Sequence, residues 1–164
     1  MSATLDQARA RVPWSRASLL VVGTACLLEI VVHLALVHRY GYHGDELYFL
    51  DCGRHLAFGY VDHAPLVPWL ARLSEVLGGG LFALRFPAIL AGAATLLVSG
   101  LLVREWGGGW RAQLLALGAL LVAPAQLRIH AMLNIPVFEV LLCTAAAYLV
   151  TRAISRHEIG RAHV

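Results

Sequence analysis

Residues Ala17 to His38 read ASLLVVGTACLLEIVVHLALVH, about 22 letters broken only by Glu29 and His33. A helix needs roughly 20 consecutive apolar residues to cross the hydrocarbon core of a bilayer, so this stretch is long enough to span. The preceding segment carries Arg9, Arg11 and Arg16 against Asp6, and a basic start followed by an apolar run also fits a secretory signal. The apolar length exceeds the roughly 7–15 residues of a signal core, however, and no small-x-small cleavage site follows. The stretch is therefore read as an uncleaved first span. Glu29 and His33 stand four apart on one helix face. An ionisable group at that depth raises a functional hypothesis by default, and mutual hydrogen bonding is the simpler account.

The rest of the chain agrees with that start. Of its 164 residues 59% are hydrophobic and 14% charged, against roughly a half and a quarter in soluble domains. Mean hydropathy is +0.70. Further apolar runs lie at Phe86–Val103, Gln113–Leu127 and Ile135–Val150, joined by the short connectors REWGGGWR and RIHAMLN. Antiparallel neighbours follow from connectors that short. The expected fold is all-α: a polytopic transmembrane helix bundle of about four spans, with no separate soluble domain. All 13 basic residues are arginine and the formal charge is +3. No basic patch is interleaved with aromatics, so nucleic acid is not an expected partner. Cys26, Cys52 and Cys143 are too few and too scattered for a disulfide framework or a thiolate metal site.

Arginine density orients the bundle. With the N-terminus inside, the cytoplasmic segments hold Arg9, Arg11, Arg16, Arg104, Arg111, Arg152 and Arg156. The outer ones hold Arg39, Arg54, Arg72, Arg85 and Arg128, diluted over a longer stretch with Asp45, Glu46, Asp51, Asp62 and Glu75. The expectation is a multi-pass cell-membrane protein with a cytoplasmic N-terminus and an extracytoplasmic first loop. The letters EIGRAHV continue no pattern, and IGRAHV resembles a translated sequencing adaptor; residues 157–164 are expected to be a non-native tail on residues 1–156, the N-terminal part of a longer transmembrane domain.

Arg39 to Leu84 is too long for a tight turn between spans. DELYFLDCGRHLAF has helical spacing with Asp45 placed to cap its start, and Leu66–Leu77 sets apolar residues against Arg72 and Glu75 before Gly78-Gly79-Gly80. Two short helices along the membrane surface are expected. The segment gathers Asp45, Glu46, Asp62 and His63 with Arg54 near the lipid head groups. Carboxylates there can take a proton from an acceptor or hold a divalent cation, and histidine with arginine can grip an anionic leaving group. Plainer roles exist for each: Asp45 as a cap, Glu46 as a charge suited to the helix dipole, Asp51 and His55 as a pair four apart, and Tyr48, Phe49, Tyr60 and Trp69 as an interfacial aromatic belt. The glycine triplets at 78–80 and 107–109 read as caps or turns, not phosphate cradles.

The order of one span, the outer loop YGYHGDELYFLDCGRHLAFGYVDHAPLVPWLARLSEVLGG, then LFALRFPAILAGAATLLVSGLLVREWGG and a further pair ending MLNIPVFE, resembles the N-terminal part of bacterial glycosyltransferase family 39. These are membrane GT-C enzymes related to protein O-mannosyltransferases and to the lipid A aminoarabinose transferase. The resemblance implies a polyprenyl-phosphate-linked sugar donor, an unknown acceptor, and inverting transfer on the extracytoplasmic side. It places Asp45 at the family's catalytic aspartate with Glu46 completing the pair, Asp62 at an acidic position that in some members contributes to a metal site, and His63 at a basic position near the donor phosphate. Asp62 is then the candidate for contact with a divalent metal ion, and Arg54 and Glu139 join Asp62 and His63 as candidate substrate-binding groups. The chain departs from the pattern where His63 replaces a lysine of some relatives, Ala64 the first proline of Pro-Pro-Leu, and Asn134 an aspartate. The alternatives are a non-enzymatic membrane scaffold and a transporter fragment; the enzyme requires Asp45, Glu46, Asp62 and His63 to meet at one membrane boundary.

Overall fold

The computed structural model describes residues 14–161, and every regular element within them is a helix. In chain order they are α1 (Arg16–Leu36), α2 (Gly44–Arg54), α3 (Leu66–Val76), α4 (Gly80–Glu105), α5 (Trp110–Val122), α6 (Pro124–His130) and α7 (Ile135–Arg161). Three of these, α1, α4 and α7, are long and apolar enough to cross a membrane, and α5 with α6 gives a fourth if the bent pair counts as one span. The helical membrane bundle expected from composition is thus the fold. Asp6, Arg9, Arg11 and residues 162–164 lie outside the described residues.

Local chemistry sets the boundaries. Ser15 caps α1, its side chain accepting from the Ser18 N–H at 3.0 Å. The run Gln113–Leu127 is not one helix, as its apolarity suggests. Pro124 lacks an N–H and its ring forces Ala123 out of helical geometry, to φ −68° and ψ 119°. The axis turns by 67° between α5 and α6. Before α4, Gly78, Gly79 and Gly80 take φ of 109°, 71° and 84°, a left-handed sequence that side chains resist, so the turn needs its triplet. All three cysteines are free.

Helix α4 is central and packs against α1, α3, α5, α6 and α7. At Gly100 the Val22 side chain comes so near that an added Cβ would meet its Cγ2 at 2.9 Å. The alternating direction of the spans divides the bundle into two ends. One holds the start of α1 and the α4–α5 turn. There the Ser18 hydroxyl donates to Gln113 Oε1, Gln113 Nε2 donates to Gly100 O at 2.9 Å, and Arg104 lies 3.9 Å over the Trp14 ring. The other end holds the last turn of α1, the hairpin of α2 and α3, the start of α4 and the α6–α7 corner. The candidate residues collect at this second end.

Candidate active site

Helix α2 begins differently from the expectation. His43, not Asp45, is the cap: its Nδ1 accepts from the Asp45 N–H at 3.3 Å, while Glu46 Oε2 accepts from the His43 N–H at 2.9 Å. This reciprocal box places Asp45 and Glu46 inside the first turn. One helical step of 100° then separates two adjacent carboxylates. Glu46, Phe49 and Gly53 form the buried face. Phe49 packs with Val67, Ala71, Leu84 and Leu133, and burying a ring of that size contributes about 1.5–3 kcal/mol. Gly53 lets α3 close in, since a Cβ there would lie 3.0 Å from Pro68 O. The neighbouring face carries Asp45, its side chain 63% exposed, and Tyr48 one turn on.

Glu46 is 0% exposed and meets a cation at its own depth. Arg85, in the second turn of α4, grips it with Nε to Oε1 and Nη2 to Oε2, both at 2.8 Å. The remaining guanidinium hydrogens go to Val37 O at 2.7 Å, Tyr40 O at 3.3 Å and Gly41 O at 2.8 Å. Glu46 Oε1 also accepts from the Leu133 N–H at 3.3 Å. One ion pair therefore ties the end of α1, the α1–α2 connector, α2, α4 and the α6–α7 corner. Burial by itself would raise the Glu46 carboxyl; the Arg85 fork and the two backbone N–H groups outweigh it and hold the group below the usual carboxylate range.

On the exposed side the Tyr48 hydroxyl donates to Asp62 Oδ1 at 2.9 Å, and that oxygen is 3.7 Å from His63 Nε2. The bond to Asp62 pushes the Tyr48 phenol up to about 12. His63 Nδ1 donates to Ala64 O at 3.0 Å, its ring stacks on Tyr60 at 4.7 Å and meets Tyr48 and Phe49 edge-on, and only 1% of the side chain is exposed. Tyr60 is itself fixed, donating to Cys52 O at 2.9 Å and His55 O at 3.1 Å. Asp45, Tyr48, Asp62 and His63 thus follow one another along one side of α2, with Glu46 directly behind Asp45.

The other candidates stand apart. Arg54, nine residues beyond Asp45 and so roughly 13 Å further along α2, pairs with Glu75 of α3 at 3.1 Å, which Arg72 also contacts at 3.2 Å. Glu139 lies exposed on α7 at the same end, without a hydrogen bond to the others. Asn134 caps α7: Oδ1 accepts from the Val137 N–H at 3.0 Å and Nδ2 donates to Ile129 O at 2.8 Å. Asp51 and His55 do not pair, because α2 ends at Arg54 and His55 leaves helical geometry. A divalent ion takes about four to eight ligands, and among the described residues no group of three or more His, Cys, Asp or Glu is gathered to hold one. Two residues escaped the sequence reading. Arg85 was counted with the loop charges, although its flanks in LFALRFPAI are apolar on both sides; Tyr48 was assigned to the aromatic belt, although it stands one helical turn from Asp45.

Fold and site together define a polytopic helical membrane protein with an acidic site at one end of its bundle. The family described as dolichyl-phosphate-mannose-protein mannosyltransferase matches residues 62–162, more than half of the chain. The chain belongs to that family of membrane glycosyltransferases. No curated protein and no solved structure matches it.

Proposed function

We propose that the chain forms the donor-side part of a membrane glycosyltransferase that moves a sugar from a polyprenyl-phosphate carrier to an acceptor on the extracytoplasmic face, with inversion. The observation that carries this reading is the split of the acid pair: Asp45 exposed in the first turn of α2, Glu46 buried behind it on Arg85. A carboxylate held by a guanidinium and two N–H groups is a poor base; its exposed neighbour is free to take a proton. Asp45 removes the acceptor's proton as the nucleophile approaches the anomeric carbon opposite the phosphate, and Glu46 with Arg85 holds the helix that presents it.

Asp62 and Tyr48 border the same face and orient the sugar or its phosphate. His63, enclosed by Tyr48, Phe49 and Tyr60, supports Asp62 and adds positive charge when protonated; Arg54 meets the phosphate if the carrier lies along α2 and α3. Glu139 reaches the acceptor side, and a divalent ion at Asp62 would draw its further ligands from beyond these residues. The denser arginines at the end with Arg16, Arg104, Arg111 and Arg152 support a cytoplasmic assignment for that end and an extracytoplasmic one for Asp45. A transporter needs Glu29 and His33 along an open path, whereas they are 2% and 4% exposed and bonded to one another.

The test is Asp45→Asn in the full-length enzyme, assayed with a short-chain polyprenyl-phosphate sugar. Turnover falls by about two to four orders of magnitude if a general base is lost. Transfer at the parent rate removes Asp45 from the chemistry.

A further inference from the structure

A second buried ionic centre lies inside the bundle, away from Asp45. Glu29 Oε1 is 2.8 Å from His130 Nδ1 and 3.0 Å from His33 Nδ1, and the three side chains are 2–3% exposed. His33 Nδ1 also donates to Glu29 O at 2.9 Å, and its Nε2 reaches Leu127 O at 3.2 Å. Both ring nitrogens of His33 face acceptors. His130 donates through Nδ1, while its Nε2 has no hydrogen-bond partner.

The centre joins α1 to the middle and the last residue of α6, the short helix beyond the Pro124 bend. Helix α4 is shaped to admit it: a Cβ on Gly92 would lie 2.7 Å from His130 Nδ1 and 2.8 Å from Glu29 Oε1. Gly92 is two turns after Arg85 on the same face of α4, roughly 10 Å along the axis. Three residues after His130, the Leu133 N–H donates to Glu46 Oε1. The two ionic centres are thus linked through a stretch of three peptide units, clamped from beyond by the bond of Asn134 to Ile129 O.

We infer that Glu29, His33 and His130 are positioning residues, which hold the α6–α7 corner so that the Leu133 N–H stays on Glu46 and the first turn of α2 presents Asp45 in one orientation. The inference rests on the reading of Asp45 as the base, but its structural half can be measured without catalysis. In the whole chain, reconstituted in lipid nanodiscs, hydrogen exchange at the Leu133 amide is compared among the parent, His130→Gln and His130→Leu. Glutamine retains an N–H for Glu29 and leucine does not, at similar size. His130→Leu is expected to speed exchange at Leu133 by about tenfold or more, as when an opening no longer breaks a charge-assisted bond, with His130→Gln close to the parent. If leucine unfolds the chain, exchange at Leu133 in Glu29→Gln, which removes the carboxylate that both imidazoles contact, gives the same information. Faster Leu133 exchange in Glu29→Gln supports the tie; parent-like exchange in Glu29→Gln or His130→Leu overturns it.

In the full-length enzyme, His130→Leu lowers kcat with the donor KM unchanged, and His130→Gln restores kcat; an equal fall in both variants, or a change in KM alone, overturns the positioning role. Should Asp45→Asn keep its activity while Leu133 exchange still follows residue 130, the assignment of the base fails and the structural tie stands.

Discussion

The two buried carboxylates among the described residues, Glu29 and Glu46, face the same problem and meet it differently. Glu46 lies at the membrane-boundary end, bonded to a guanidinium that is always charged and to backbone N–H groups. Glu29 lies within a span, bonded to two imidazoles, one of which keeps a free nitrogen. A buried anion is tolerated only when its bonds replace water. At Glu46 the replacement is permanent and fixes a corner where five segments meet. At Glu29 it is made of two imidazoles, and it needs a glycine on the facing helix to fit. The first centre fastens the corner directly, and the second reaches it through α6.

The largest effect that would break this contrast is removal of one half of the Glu46 pair. Arg85→Met or Glu46→Leu alone should cost about 3–5 kcal/mol in denaturation from mixed micelles, because one buried charge is left without its partner. The double variant should recover much of that loss. The pH dependence carries a definite sign: with the Glu46 carboxyl held low in the folded chain, the stability it contributes is full above the ordinary glutamate range and disappears as pH falls through the depressed value. Equal losses in single and double variants would mean that the pair does not act as a unit.

Next in size is Gly92→Val, which drives a side chain into Glu29 and His130 and should cost about 1–3 kcal/mol by the same measurement. Gly118→Ala is the control: a Cβ there meets nothing within 4 Å, and helix propensity predicts a gain of up to ~1 kcal/mol. Asn134→Ala should lose about 1 kcal/mol of cap, and Asn134→Asp should recover only part of it, since a carboxylate accepts the Val137 N–H but cannot donate to Ile129 O.

The smallest effect is spectroscopic. Tyr48 should ionise near 12 by ultraviolet difference titration and return toward about 10 in Asp62→Asn. The support that the phenol gives to the folded chain is present below its ordinary range and is lost as pH rises through 12. A parent phenol that titrates near 10 would separate Asp62 from the α2 face and sharpen the site to Asp45 alone.

Much of the architecture was legible in the letters. Run lengths gave α1, α4 and α7, the glycine triplet gave the turn before α4, and the four-residue spacing of Glu29 and His33 gave their contact. The bend was missed at Pro124 because hydropathy outweighed a breaker inside an apolar run. The cap of α2 was misplaced by two residues because histidine is an unusual capping side chain, and Asp45 is the commoner choice.

What the sequence determined by itself is everything that depends on near neighbours: which stretches are helical, which can lie in lipid, and that Asp45 and Glu46 point about 100° apart once α2 forms. What only the tertiary structure decided is which of the two acids is buried, and on what. Arg85 is 39 residues from Glu46, and His130 is 101 from Glu29. No local periodicity encodes those partnerships. They exist because the desolvation of each charge is offset only where packing brings a distant complementary group to the same depth.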